Sequence, residues 1–232
     1  MSDYLETNYF KDEYGENDYP QLLCDYIINR YFKSHFGDIS ELSLLDIGSG
    51  KGNHLVGFSR RGINVIGLDK RDECLNALEG FDIKECDIEN EKMPFPNNYF
   101  DIVHSKSVIE HVINTDNLIS ETYRVLKKDG LAIIMVPDWG SQYKTFFDDC
   151  THVKPWTRKG LQNVLRMNGF SDVKCEYFRQ LPLLWKYPWL TVFCNIISLL
   201  PESFKWKDKE ETLHRKWVRF SKEKMLLATG SK

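Results

Sequence analysis

The sequence predicts an α/β chain with a mostly parallel sheet covered by helices on both faces, and three observations carry that expectation. Short apolar runs alternate with helical patterns along most of the chain. Several of those runs end at an acid or a glycine, where a parallel strand hands over to a loop. The 232 residues, 42% hydrophobic and 13% aromatic, suffice to bury the core of one such domain with an elaboration.

Between Tyr19 and Phe36 the residues Leu22, Leu23, Tyr26, Ile27 and Phe32 recur at helical spacing, so residues 1–36 read as a helical cap segment on a domain spanning 37–232. "LSLLDIG" (42–48) reads as a buried strand ending at a glycine. "INVIGLD" (63–69) is a β-branched second strand, and "FDIKECD" (81–87) a poorer third. "YFDIVHSKSVIEHV" (99–112) begins as a strand and then changes period. An amphipathic helix over 116–127 is expected to stop at Asp129-Gly130, followed by the strand "LAIIMVP" (131–137). A polar and aromatic loop (138–156), a helix over 157–167 and the strands "FSDVKCEYF" and "KEKMLLATG" complete the order.

Other classes are disfavoured. A net charge of −3 with dispersed basic residues argues against a nucleic-acid partner. Cys24, Cys74, Cys86, Cys150, Cys175 and Cys194 form no C-x-x-C pair and no zinc spacing, and the acidic first residues carry no signal-peptide core. A reduced, cytoplasmic setting is therefore expected.

The stretch "LLDIGSGKGNHL" (44–55) holds the strongest chemical signal. A dinucleotide turn would need glycine at position 53, which is Asn53, and a phosphate loop would need serine or threonine where Gly52 stands. Asp46 precedes Gly48, Gly50 and Gly52, and its charge repels a pyrophosphate but suits an ammonium group. Asp69 ends the next strand, where a carboxylate can accept both ribose hydroxyls. Asp87 follows the third and can take a bond from an adenine amino group. An adenosine carrying an amino-acid tail satisfies all three acids.

These motifs, with "VIGLDKR", "ECDIENEKMPFPNNYFDIVHSKSVIEHV" and "RVLKKDGLAIIMVP", resemble the class I S-adenosylmethionine-dependent methyltransferases, in particular those of the type 11 group that act in quinone and glycan biosynthesis. The resemblance covers about residues 40–137. It implies a Rossmann-like sheet of seven strands whose last strand is antiparallel, and S-adenosylmethionine as cofactor. It further implies that Gly48, Gly50 and Gly52 admit the methionine and ribose. Asp46 would face the ammonium, Asp69 with Lys70 the ribose, Asp87 and Ile88 the adenine, and Ser105 the methionine end.

For the acceptor, His111 and His152 are the expected bases, since a histidine titrates near neutrality. Tyr143 and Trp156, with Phe146 and Phe147, are expected to wall off water around it, while His104 reads as structural. Asp148, Asp149 and His152 have donor chemistry for magnesium or manganese. A turn whose acids cap the next helix is the simpler account, so no metal is expected.

The family fold usually has a short connection between its last two strands. Here residues 179–217 form an insertion whose longest apolar run, "WLTVFCNIISLL", is too short to span a bilayer. A lid or homodimer contact is the first expectation for it. The second is peripheral membrane contact through 181–200, since Trp185, Trp189 and Trp206 stand with Lys186, Lys205 and Lys207 as at lipid interfaces. The N-terminal tyrosines Tyr4, Tyr9, Tyr14 and Tyr19 are candidates to close the pocket from the other side. The expected reaction is O-methylation of a small-molecule, sugar or lipid-linked acceptor. The alternatives are a quinone or lipid methyltransferase working at carbon, and a non-catalytic binder of S-adenosylmethionine with a regulatory role.

Overall fold

Alternation along each strand dictates how this chain layers. In the computed structural model, which describes residues 19–71, 74, 79–201, 204 and 213–232, neighbouring strand residues point to opposite faces of one sheet. Leu45, Ile47, Val103, Ile134 and Val136 pack on one side, and Leu44, Ile102, Ile133 and Met135 on the other. Both sides are apolar because both are covered.

The strands are β1 Ser43–Ile47, β2 Asn64–Asp69, β3 Ile83–Glu85, β4 Phe100–Lys106, β5 Leu126–Pro137, β6 Ser171–Phe178 and β7 Met225–Ser231. They form a seven-stranded sheet in the order β3-β2-β1-β4-β5-β7-β6. Strands β1 to β5 pair in parallel, and β7 runs antiparallel between β5 and β6. The helices are α1 Tyr19–Ile27, α2 Lys33–Phe36, α3 Asn53–Ser59, α4 Thr115–Val125, α5 Trp139–Gln142, α6 Arg158–Met167, α7 Pro182–Lys186, α8 Thr191–Ile197 and α9 Leu213–Lys222. Leu23 and Ile27 of α1 and Phe58 of α3 cover one face, and Leu118, Ile119, Leu161 and Leu165 of α4 and α6 the other. Five of the six cysteines are buried thiols, and Cys150 is exposed.

Two expectations need correction. The helix expected from Tyr19 to Phe36 passes through a π-helical turn at Ile28–Phe32, between α1 and α2. The helix expected to run to Lys127 ends at Val125, and Asp129-Gly130 lies within β5 rather than at a helix end. There the register slips between Phe100 and Ile102, and Asp129 takes a left-handed φ of 62°. Backbone bonds to Lys232, from Asp129 N–H and to Gly130 O, each 3.0 Å, hold the bulge against the sheet.

The insertion folds into short helices, each of the first two turns headed by a proline, Pro182 and Pro188. Trp185 stacks on Phe178 at 5.2 Å and on Tyr26 at 5.1 Å, which pins the segment to α1. Leu181, Leu184 and Cys194 form its small core, while Leu183, Trp189, Val192, Phe193, Ile196 and Leu199 stay exposed. Among the described residues no helix is long and apolar enough to cross a membrane. Trp206, Lys205, Lys207, Tyr4, Tyr9 and Tyr14 lie outside the described residues.

One polar junction ties the start of β1 to β4 and β5. Asp101 Oδ2 accepts from Ser43 N–H at 2.9 Å, Ser43 Oγ at 2.6 Å and Lys127 Nζ at 2.8 Å. Partial burial pushes the carboxyl up, but the Lys127 and Ser43 bonds outweigh it and hold it below its ordinary range. A carboxylate so depressed stabilises the fold above its unfolded pKa and loses that contribution as pH falls. Asp101→Asn should therefore cost about 1 kcal/mol at pH 7. In urea unfolding the deficit should shrink below the ordinary aspartate value of about 3.9. A deficit that stays constant with pH would show that the carboxylate's charge is not what matters.

Candidate active site

The parallel strands all point their carboxyl ends to one edge, and the strand order reverses at β1, whose neighbours are β2 and β4. A crevice opens at such a point, and the glycine turn lies in it. Gly48 and Ser49 both donate backbone N–H bonds to Leu68 O, at 2.7 and 3.1 Å. Gly48, Gly50 and Gly52 all have positive φ, of 68°, 53° and 76°, and Gly52 caps α3. A Cβ on Gly48 would come within 2.3 Å of Val108 Cγ2. Above Gly50 the space is open, with Arg71 Nη2 the nearest group at 3.9 Å. Gly67 escaped the sequence reading: a Cβ there would meet Ser49 Oγ at 2.7 Å, so β2 must be bare where the turn crosses it. The available signal was a glycine inside the β-branched run of β2.

Asp69 is buried, and it braces this turn. Its Oδ2 accepts Gly50 N–H at 2.9 Å, and its Oδ1 accepts Arg71 N–H and Nε–H, each at 3.2 Å. A diol arriving there would share or displace those donors. Asp46 Oδ1 takes the Nδ1–H of the buried His104 at 2.7 Å, while its Oδ2 has no partner. The hydroxyls of Ser105 and Ser49 are likewise buried and unpartnered. Strand register sets Asp46 beside His104 and Ile47 beside Ser105. Asp87 folds back on its own turn, accepting from Glu89 N–H at 3.1 Å and Asn90 Nδ2 at 3.0 Å. The Asn90 bond, helped by Glu89 N–H and the charge of exposed Lys70, outweighs burial and keeps the carboxyl below its usual range. Ile88 beside it is half-buried against the core.

These residues fit S-adenosylmethionine. Bare backbone offers room for a ligand at Gly50, and the unpartnered Asp46 Oδ2 and Ser105 Oγ offer acceptors for an ammonium group.

The acceptor side is built where β4 and β5 end. Ser107 adopts φ 57° and turns the chain into a 3-10 turn, Ile109–His111. The loop after β5 is fastened to that turn by Val153 and Lys154 N–H, which donate to Glu110 O at 2.9 and 3.0 Å. This brings the rings of His111 and His152 to 4.8 Å between centroids, the two histidines expected as bases. Thr151 Oγ1 spends its proton on Asp149 Oδ1 at 2.6 Å, so His111 Nδ1–H donates to Thr151, whose O and Oγ1 lie at 3.1 and 3.0 Å. His152 Nδ1–H donates to Phe146 O at 2.5 Å. Both rings are thus fixed with Nε2 as the free, basic nitrogen. Burial, opposed by the Thr151 bond, holds His111 below its ordinary pKa.

The aromatic wall differs from the expected one. Phe146 packs on His152 at 4.4 Å and Trp139 on Phe146 at 5.5 Å. Trp156, expected beside the acceptor, is instead a core residue, 6% exposed, with its indole N–H on Ile109 O at 3.4 Å. The loop's bridge to Asp138 carries it inward. Tyr143, 55% exposed, packs edge-on against Trp139 at 6.4 Å and lines an open groove of about 440 Å³ with Lys144, Tyr177, Lys222 and Lys224. From the sequence Glu110 could either orient the His111 ring or face solvent; it is 0% exposed, with no hydrogen-bond partner for either oxygen. Burial pushes its carboxyl up to about 8, although its own backbone N–H and Lys106 pull the other way.

The sheet order, the glycine turn and the acids after successive strands define a class I methyltransferase fold. Residues 45–134 match the model of a methyltransferase domain. The matched stretch is less than half of the chain. A ubiquinone biosynthesis O-methyltransferase of Rickettsia typhi is 33% identical over 114 residues, 43% of each chain. A chloroplastic 2-methyl-6-phytyl-1,4-hydroquinone methyltransferase of Oryza sativa is 32% identical over 148 residues, 59% of this chain and 41% of that one. The chain thus spans about two fifths of the length of these relatives. The crystal structure of a SAM-dependent methyltransferase from Archaeoglobus fulgidus shares the fold, with a TM-score of 0.65 at 23% identity over 92% of this chain and 94% of that one.

Asp69→Ala removes a charged acceptor, an interaction worth roughly 1.5–3 kcal/mol, so S-adenosylmethionine binding should weaken about 10–100-fold by calorimetry. Unchanged affinity would remove Asp69 from the ribose site. Gly48→Ala should weaken binding as well, because the new methyl group must displace Val108.

Proposed function

We propose that this chain transfers the methyl group of S-adenosylmethionine to a hydroxyl of a small-molecule or glycan-like acceptor. The observation that carries the reading is the convergence at one sheet edge of the glycine turn and the histidine pair. Val108, which faces Gly48, begins the turn that bears His111, and His152 arrives from the loop after β5.

S-adenosylmethionine supplies a methyl group already activated on a sulfonium. Gly48, Gly50 and Gly52 would admit its methionine and ribose, with Asp46 and Ser105 toward the amino-acid end, Asp69 and Lys70 at the ribose, and Asp87 and Ile88 at the adenine. Holding the acceptor in line with the methyl group can supply about 7–11 kcal/mol. His152 or His111 would take the hydroxyl proton on Nε2, a contribution of about 10²–10⁴-fold. Phe146, packed on the His152 ring and backed by Trp139, would help to exclude water there.

A second reading, transfer at carbon to a quinone or lipid-linked acceptor, is favoured by the exposed apolar face of the insertion, where Trp189 and Ile196 stand 64% and 60% exposed. Membrane contact or a homodimer contact would cover that face. A non-catalytic binder of S-adenosylmethionine is the reading from another class.

With methyl-labelled S-adenosylmethionine and an extract of the source organism, label is expected in water-soluble sugars or small molecules. Label in the organic phase would move the quinone or lipid reading to the front. His152→Ala and His111→Ala should each lower turnover about 10²–10⁴-fold and leave cofactor affinity intact. Full turnover in both variants would remove the histidine base, and no transfer by the wild type with cofactor bound would favour the non-catalytic binder. Wild-type protein that never sediments with liposomes would end the membrane contact.

A further inference from the structure

We infer that Glu110, His111 and His152 form a site for a first-row divalent cation such as Zn²⁺, Co²⁺ or Mn²⁺. One ligand atom from each of the three lies within 4.8 Å of the others. The inference rests on the functional reading above for its place at the acceptor side and changes one role in it. With a cation on their Nε2 atoms the two histidines would hold the metal, which would activate the acceptor oxygen in place of a histidine base. Its geometry is independent of any methyl transfer.

Two observations beyond proximity point to a cation. The first is orientation. His111 Nδ1 is turned to Thr151 and His152 Nδ1 to Phe146 O, with the Thr151 proton already spent on Asp149. A ligating histidine characteristically donates its outer N–H to a carbonyl or similar acceptor, which fixes the tautomer and presents the other nitrogen as a lone pair. Both rings are held that way by separate segments of one loop. The second is Glu110, a fully buried carboxylate with two oxygens lacking hydrogen-bond partners. A buried carboxyl group without hydrogen-bond partners is costly in either protonation state, and a cation would supply the missing partner. Lys106 exerts an electrostatic pull on it without making a hydrogen bond.

Two imidazoles and one carboxylate favour borderline first-row ions over magnesium. Three protein ligands leave a coordination position open, as metal sites that bind exogenous oxygen ligands do. Asp149 Oδ2, 3.8 Å from His152 Nε2, stands next to the set. The cluster of Asp46, His54 and His104 under the glycine turn is less suited, because Asp46 Oδ1 and His104 Nδ1 already bond each other at 2.7 Å.

The test uses tag-free protein freed of metals with a chelator and titrated with Co²⁺ alone. Saturable visible absorption at one Co²⁺ per chain, displaced by Zn²⁺, is expected. Losing an outer-shell partner typically costs 10–100-fold in affinity, so Glu110→Gln, His111→Ala and His152→Ala should each weaken Co²⁺ binding by about 100-fold or more. Should a variant fail to fold, the wild type still decides, because Zn²⁺ should shift the ring ¹⁵N resonances of His111 and His152 and leave His54 and His104 in place. No saturable binding, or shifts at His54 and His104 instead, would overturn the site. S-adenosylmethionine calorimetry on the same sample separates the two ideas: cation binding without cofactor binding defeats the methyltransferase reading and leaves the metal site standing.

Discussion

Everything at the candidate site depends on how closely the chain leaving β1 can pass between its two neighbours. That turn hangs from one carbonyl of β2, Leu68 O, and runs under the side chain of Val108, with no room for even a methyl group at Gly48. Three consecutive alternate residues take left-handed conformations that a side chain would penalise. Asp69 then fixes the middle of the turn through Gly50 N–H, and Gly67 clears the floor beneath Ser49. The start of the following helix and the space above Gly50 follow from that one close crossing.

The acceptor side is made differently. Its groups sit on irregular backbone, one after β4 and one after β5, joined by main-chain bonds to Glu110 and by side-chain bonds through Thr151. Such a construction lets the histidines be positioned by loops while the sheet supplies rigidity. It also explains why the aromatic residues divide. Phe146 and Trp139 stay with His152, whereas Trp156 is drawn into the core by its bridge to Asp138.

Strand periodicity and the spacing of acids and glycines were legible in the sequence because each depends on neighbours only a few residues away. The seven strands and the antiparallel run of the last one appear where the motifs and their resemblance put them. What escaped the sequence depends on distant partners. The helix after Thr115 stops early because Asp129 and Gly130 answer to Lys232 at the far end of the chain. Glu110 looks like any exposed acid of a short turn until the loop at 151–154 closes over it. The tautomers of His111 and His152 are set by Thr151 and Phe146, which no local pattern connects to them.

The place of β7 has a consequence for how the molecule is made. Met225–Ser231 is last in chain order yet lies between β5 and β6 in space, bonded to both. Until it emerges from the ribosome, β5 and β6 each present an open edge, and the apolar rows of β5 lack part of their cover. Such long-range pairing lowers folding rates and leaves intermediates prone to wrong strand partners. From the completion of β5 until β7 follows, the nascent chain would therefore display an open apolar edge, a demand that falls on the cell's holding chaperones rather than on the finished fold.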